Sequence, residues 1–454
     1  MGFMDALSPI MRILPEVAGP KRHITFRERI TWSGIILALY FVLAEIPLYG
    51  LPDSINDMFA GFRTVLAGDS GTLLHLGIGP IVTAGIIMQL LAGSDIINLD
   101  LSTHKGKVMF QGTQKILAVF LCFFEAVLFA YAWRYQVTTN ALVFLIVQMA
   151  LGALVLLLMD EVVTKWGFGS GISLFIAARV SAQVFWQAFS PLRDASGQFL
   201  GAIPDFISKV VSGDTAGILS RPYPYPDMTS LIFTFAVFLI VVYFEAMRIE
   251  IPLSYGKYKG IRGRYPIKFI YASNIPMILT IALFANIRVM AQLTHWNILG
   301  SFSQDGNAVT GGLLYYLTAP SSLSTVVDEP LRAFIYLVIV VAFCVLFAKL
   351  WIELTNMGPK AVAKRLQGSG MQIPGFRKDI RILEKLLSRY IPQVTVMGGA
   401  FVGLIAVFAD FTGALGTGTG ILLTVGIVYR MYEDLAKEQA SELFPALRQF
   451  LGKE

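Results

Sequence analysis

The chain carries little charge and has almost no sulfur or imidazole chemistry. Of its 454 residues, 15% are Asp, Glu, Lys or Arg and 55% are hydrophobic, and the mean hydropathy is +0.65. One water-soluble core cannot hide that much apolar surface, which excludes a soluble globular protein. The two cysteines, Cys122 and Cys344, each sit inside an apolar run, so buried thiols are expected, with neither a disulfide nor a metal. The four histidines, His23, His75, His104 and His295, have no i, i+4 partner, and zinc chemistry is left without ligands. Neither His-Glu-x-x-His nor Gly-x-Gly-Asp occurs, and Ser170 lies in Phe168-Gly169-Ser170-Gly171 instead of Gly-x-Ser-Gly. No catalytic pair for an intramembrane enzyme stands out, and no cofactor is expected.

What the chain has instead is ten apolar runs of roughly bilayer length, at 30–48, 73–93, 115–133, 139–159, 171–189, 229–247, 267–287, 331–352, 391–409 and 415–432. A hydrocarbon core of about 30 Å takes about 20 helical residues to cross. Backbone groups inside it must be satisfied by helices or a closed barrel, and runs this long without strict alternation are not barrel strands. The expected fold is an all-α polytopic membrane protein. The first run is of spanning length, which predicts a retained span and not a cleaved leader. An even number of spans puts both termini on one side. With that side cytoplasmic, 28 of the 36 Lys and Arg fall there, seven fall outside and Arg179 lies within a span. The positive-inside bias therefore predicts a multi-pass protein with cytoplasmic termini.

Residues 1–29 form an N-terminal segment in which Phe3, Leu7, Ile10, Met11 and Leu14 suggest a short interfacial helix. Residues 30–190 and 229–436 each hold five spans; 191–228 is an external connection and 437–454 a cytoplasmic tail. The connections 248–268 and 353–391 are strongly basic. They read either as topology signals alone or as a dock for a polyanion, RNA or anionic lipid.

Spans five apart resemble each other. Gly167-Phe168-Gly169-Ser170-Gly171-Ile172-Ser173-Leu174 and Gly416-Thr417-Gly418-Thr419-Gly420-Ile421-Leu422-Leu423 both read Gly-x-Gly-x-Gly-Ile-x-Leu, and Pro80-Ile81-Val82 parallels Pro276-Met277-Ile278. Loop parity makes each pair antiparallel, which is the pattern of two inverted five-helix halves around a central site. A transporter would place polar ligands there, but this chain places aliphatics: Ile78 and Val82, Ile172 and Ile176, then Ile278 and Leu423. Ordinary packing accounts for such residues; a dewetted constriction is the alternative use. Before span two, Ser54-Ile55-Asn56-Asp57 matches a capping box, and Ile55, Met58, Phe59, Phe62, Val65 and Leu66 follow at helical spacing. That short helix either lies on the surface or folds back as a stopper. Glu125 lies inside span three, with Thr83 and Asn286 as candidate polar partners. Arg179 follows Ile172 and Ile176 on one helical face; either it lines the outer half of the cavity and meets Asp53 or Asp57, or it reaches toward the interface or pairs within the bundle.

Gly77-Ile78-Gly79-Pro80-Ile81-Val82-Thr83-Ala84-Gly85, Gly169 to Ile176, Tyr265 to Tyr271 with Ser273-Asn274-Ile275-Pro276, and Gly418 to Val425 closely resemble the SecY family, in its archaeal wording. The resemblance covers the whole chain and implies the central subunit of a plasma-membrane protein-conducting channel that passes unfolded secretory chains and releases hydrophobic segments into lipid. It implies a pore ring of Ile78, Val82, Ile172, Ile176, Ile278 and Leu423, and a plug over 54–66 that includes Ser54, Ile55, Asp57, Met58, Phe59, Phe62, Arg63, Val65 and Leu66. It also implies a lateral-gate polar cluster of Thr83, Glu125 and Asn286, and ribosome docking through Lys257, Lys259, Arg262, Arg264, Arg377 and Lys378. The partners it implies are small SecE-like and Sec-beta-like subunits, the ribosome, signal sequences with their nascent chains, and the lipid bilayer. Arg179 departs from the pattern, standing where the family usually has a small residue.

Overall fold

The computed structural model describes Pro9, Met11 and residues 14–22, 24–51, 66–93, 103–133, 137–194, 197–213, 219, 221, 225–255, 262–294, 296–302, 309–320, 322–368, 371–372 and 380–443. Among these, ten long helices carry the architecture: α1 Phe26–Glu45, α2 Gly79–Gly93, α3 His104–Ala132, α4 Thr139–Trp166, α5 Gly171–Phe189, α6 Met228–Ala246, α7 Ile275–Thr294, α8 Pro330–Leu354, α9 Ile380–Phe411 and α10 Gly418–Leu443. Among the described residues, six helices are long and apolar enough to cross a membrane unaided, while the apolar stretches of α2 and α7 are shorter.

Local chemistry sets the helix ends. At α1 the Thr25 hydroxyl accepts from the Glu28 amide and the Glu28 carboxylate accepts from the Thr25 amide, a reciprocal cap. Beyond it, Ser33, Ile36, Tyr40 and Ala44 form the buried stripe, while Ile35, Leu39 and Val42 face outward and are exposed. Apolar side chains on both faces suit a helix whose outer solvent is lipid.

The runs at 73–93 and 267–287 begin as helices later than expected. The chain enters α2 through turns over 72–78 and enters α7 through a strand and turns ending at Asn274. In both, a residue in the left-handed region stands just before the helix, Gly77 and Ser273 at φ +56° each, and proline is the second helical residue. Proline there lacks only an amide that the helix cannot use. These breaks delay the start of both helices.

The two halves are inverted. Arg29 of α1 pairs with Glu438 near the end of α10, and Trp32 packs on Trp166 at the end of α4, so α5 starts at the end where α10 finishes. The entrance to α2 is tied to the other end of α1 by the Leu73 amide on Ile46 O (3.0 Å), whereas Lys268, leading into α7, is bonded to Glu433 of α10. The halves meet along two seams, α5 against α10 and α2 against α7 and α8.

The all-α description holds for the bundle, and the basic connection after α6 adds a sheet that the sequence reading did not foresee. Strands β1 Arg248–Tyr255 and β2 Arg262–Lys268 pair antiparallel with Ile251 opposite Tyr265, and Met371–Gln372 adds a third strand beside β1. Ile251, Leu253 and Ile267 are buried against the helix Pro359–Gly368 and the start of α9. The alternation Ile249, Ile251, Leu253 was the available signal, hidden by proline and charge within a short segment.

Candidate functional site

All six aliphatic residues expected at the centre lie in one apolar cluster contributed by α2, α5, α7, α10 and the turn before α2. Ile78, Ile176 and Leu423 are fully buried, and Val82, Ile172 and Ile278 pack against them half-buried. None of the six belongs to the exposed outer surface.

Polar groups behind the cluster fix its backbone. The Ile78 amide donates to Leu66 O at 2.8 Å, and that close approach requires glycine at 77, where a Cβ would stand 2.2 Å from the same oxygen. The Ile172 amide donates to Asp160 Oδ1 at 2.9 Å. The Asn274 amide reaches Leu422 O at 3.4 Å and Leu423 O at 3.3 Å, across Gly426, where a Cβ would lie 1.9 Å from Asn274 Nδ2. In the second half, Asp410 Oδ1 accepts from the Thr419 amide at 3.2 Å and its Oδ2 accepts from the Thr419 hydroxyl at 3.1 Å.

These anchors correct the register of the repeat. Gly169 and Gly416 share φ near +70°, Gly171 and Gly418 both open a helix, and both lie against the aspartate-bearing turn of the preceding helix. The alignment therefore shifts by two residues from the shared Gly-x-Gly-x-Gly-Ile-x-Leu reading: Ile172 matches Thr419 and Ile176 matches Leu423. In the other pair, Gly77 matches Ser273, so Ile78 matches Asn274 and Val82 matches Ile278. Each helix entrance of the first half supplies two aliphatics and each of the second half only one, because Asn274 and Thr419 occupy the remaining positions as hydrogen-bonding groups. Sequence reasoning missed Asp160, Asn274 and Asp410; an aspartate preceding each Gly-x-Gly opening was the signal.

Toward the end of the bundle opposite the hairpin, the chain enters the site through Leu66 and Ala67. Leu66 packs on the apolar cluster, and Ala67 is buried at φ +51° with its carbonyl accepting from the Tyr40 hydroxyl at 2.8 Å. Two residues on, Asp69 Oδ2 pairs with Arg179 Nη1 at 2.7 Å. Arg179 thus meets Asp69; Asp53 and Asp57 lie outside the described residues. Burial pushes the Asp69 carboxyl above its ordinary range, and the Arg179 charge only partly offsets this. Beyond Arg179 a cavity of ≈ 560 Å³ opens, lined among others by Gln183, Gln187, Arg288, Tyr336 and Asp410.

The remaining expected sites are less completely described. Of the plug segment, Ser54, Ile55, Asp57, Met58, Phe59, Phe62, Arg63 and Val65 lie outside the described residues, and only Leu66 falls within them. Glu125 Oε2 stands 3.3 Å from where a Cβ on Gly79 would be, at the mouth of α2. Thr83 is half-buried on α2 and Asn286 is exposed on α7, and no hydrogen bond among the described residues joins these three. Lys257, Lys259, Arg377 and Lys378 lie outside the described residues; Arg262 opens β2, and Arg264 is exposed on the hairpin, paired with Glu250.

An inverted pair of five-helix halves with an aliphatic centre is the architecture of a polytopic membrane channel. The SecY family model matches residues 72–432, and the plug domain of Sec61p matches 39–71. The protein translocase subunit SecY of Pyrococcus furiosus is 50% identical over 100% of both chains. A solved protein-conducting channel superposes with TM-score 0.84 at 45% identity, covering 97% of this chain and 99% of that one. The Sec61 chain of a canine ribosome–channel complex from the endoplasmic reticulum gives TM-score 0.82 at 45% identity, with the same coverage. This chain belongs to the SecY family.

Proposed function

We propose that this chain is the channel-forming subunit through which unfolded secretory polypeptides cross a membrane and from which hydrophobic segments pass sideways into lipid. The observation that carries this reading is the gathering of Ile78, Val82, Ile172, Ile176, Ile278 and Leu423, from both halves, into one apolar cluster with hydrogen-bonded backbones behind it. Such a ring resists wetting, so it blocks ions, and it offers no fixed partner to a side chain sliding past.

Residues 54–66 act as the plug over this ring. The turn that follows them is held by Tyr40 and by the Arg179–Asp69 pair, so moving the plug requires that knot to loosen. The α2–α7/α8 seam is the lateral gate, with Thr83, Glu125 and Asn286 near it. A signal sequence partitions through the gate because each apolar residue gains a few tenths of a kcal/mol in the bilayer, whereas a central charge costs about 2.5 to 3.5 kcal/mol. The hairpin with Arg262 and Arg264, together with Lys257, Lys259, Arg377 and Lys378, faces the cytoplasm and docks the ribosome. SecE-like and Sec-beta-like subunits complete the complex in the plasma membrane, with both termini cytoplasmic.

Site-specific photocrosslinking of a stalled nascent chain tests this reading. Probes at positions 78, 82, 172, 176, 278 and 423 are expected to capture the translocating chain. Capture of lipid alone at these positions would contradict it.

A further inference from the structure

We infer that Asp160 and Asp410 are paired positioning residues that set the height of the pore ring, one brace in each half. This inference rests on the ring reading above.

Each aspartate sits in the last two turns of the helix preceding a ring helix: Asp160 on α4 before α5, Asp410 on α9 before α10. Each accepts from a first-turn amide of the helix it faces, Ile172 at 2.9 Å in one case and Thr419 at 3.2 Å in the other, with Gly171 and Gly418 packed directly against it. The first helix turn has no internal partner for these amides, so a carboxylate there satisfies them and fixes where the helix begins. Both glycines are required by the same contact. A Cβ at Gly171 would lie 2.6 Å from Asp160 Cα, and one at Gly418 would lie 2.3 Å from the Asp410 amide nitrogen.

The consequence falls on the ring directly. Ile172 itself donates the amide held by Asp160, and Ile176 follows one turn later; Leu423 follows Thr419 by the same turn. A helix rises about 1.5 Å per residue, so a start that slips by one residue moves a ring side chain by about 1.5 Å and rotates it by about 100°. That displacement is enough to break contact between the side chains of a dewetted constriction. The two braces are not identical. Asp410 also holds the Thr419 hydroxyl and lies 3.4 Å from the Tyr336 hydroxyl of α8, so the second brace spans three helices where the first spans two.

The test is resting ion conductance of the complete membrane complex in planar bilayers, with thermal stability recorded alongside. Asp160→Ala and Asp410→Ala are expected to raise the resting leak about tenfold, the factor that about 1.4 kcal/mol of lost capping produces. Asp160→Asn and Asp410→Asn keep an acceptor of the same reach and are expected to stay within about twofold of the unsubstituted channel. Serine caps within its own helix but is too short to reach across, so Asp160→Ser and Asp410→Ser are expected to leak like alanine. If the alanine variants fail to assemble, the serine and asparagine variants decide the matter, since equal leak from both overturns the inference. Alanine variants that assemble and remain as tight as the unsubstituted channel also overturn it. Ile176→Ser serves as the control: if it too fails to leak, the ring reading has failed and not the brace.

Discussion

In the first half, each helix with its entrance brings two aliphatic side chains to the central cluster, Ile78 with Val82 and Ile172 with Ile176. In the second half the matching positions read Asn274 with Ile278 and Thr419 with Leu423. The same fold, inverted, therefore lines one apolar cluster from two chemically different sides. Asn274 and Thr419 spend their polar groups on neighbouring backbone and on Asp410, where Ile78 and Ile172 contribute only apolar surface. The comparison teaches that pseudo-symmetry constrains where the chain turns more tightly than which side chains it presents. Glycine or a left-handed residue, proline and an acidic brace recur in both halves, while the side chains facing the centre diverge.

The sharpest way to break this comparison uses its most similar backbone positions. Gly77 and Ser273 share φ +56°, but only Gly77 has a carbonyl where its Cβ would be. Gly77→Ser is expected to cost more than about 3 kcal/mol, since backbone must move. Ser273→Gly removes left-handed strain and is expected to change stability by less than about 1 kcal/mol in either direction. Thermal unfolding of the purified complex compares the two.

A second exchange asks whether the divergent side chains are interchangeable. Ile78→Asn buries an amide in the apolar cluster with no designed partner and is expected to cost about 3 kcal/mol and to wet the constriction. Asn274→Leu removes the amide that spans to Leu422 and Leu423, and is expected to cost about 1–2 kcal/mol. Melting separates the two in size, and resting conductance separates a wetted ring from a loosened one.

The helical spans and their inverted arrangement were legible in the sequence because composition and loop charge report on solvent, and lipid is the solvent here; the repeat spacing also picked out the six aliphatics that share the central cluster. Partners were not legible. Arg179 was marked as out of place, but its mate at Asp69 depends on how the turn over 66–78 folds, which no spacing rule gives. Asp160 and Asp410 lie at span ends, where charge is expected on any reading, so their bonding role stayed hidden. The starts of α2 and α7 were placed too early because hydropathy continues through turns that left-handed residues impose.

The Arg179–Asp69 pair belongs to the first half alone and sharpens the asymmetry further. Arg179→Asp is expected to weaken the plug turn by about 1–2 kcal/mol and to raise the leak, and adding Asp69→Arg is expected to recover most of that loss. A double variant that leaks as much as the single one would show that the pair holds nothing.

The smallest expected effect concerns the N-terminal segment around Glu16, where Lys165 and Trp166 at the end of α4 donate to Val17 O and Ala18 O. Glu16 bonds Lys165 at 2.7 Å, and that hydrogen bond, with the lysine charge, holds its carboxyl below the ordinary glutamate range. A lowered carboxyl contributes its stabilisation above the unfolded value and loses it as pH falls through the folded one. Protease cleavage within 17–22 is expected to quicken as the pH drops below the ordinary glutamate value, and Glu16→Gln is expected to flatten that profile.

The central claim, that six aliphatic side chains form the seal, is tested most directly by the resting conductance of the complex carrying serine at one position at a time. Serine at Ile78, Ile176 or Leu423 is predicted to open a measurable leak, while serine at Phe120, Phe144 or Phe235, exposed on the outer face, is predicted to leave the channel tight. Equal conductance from the two sets would contradict the account.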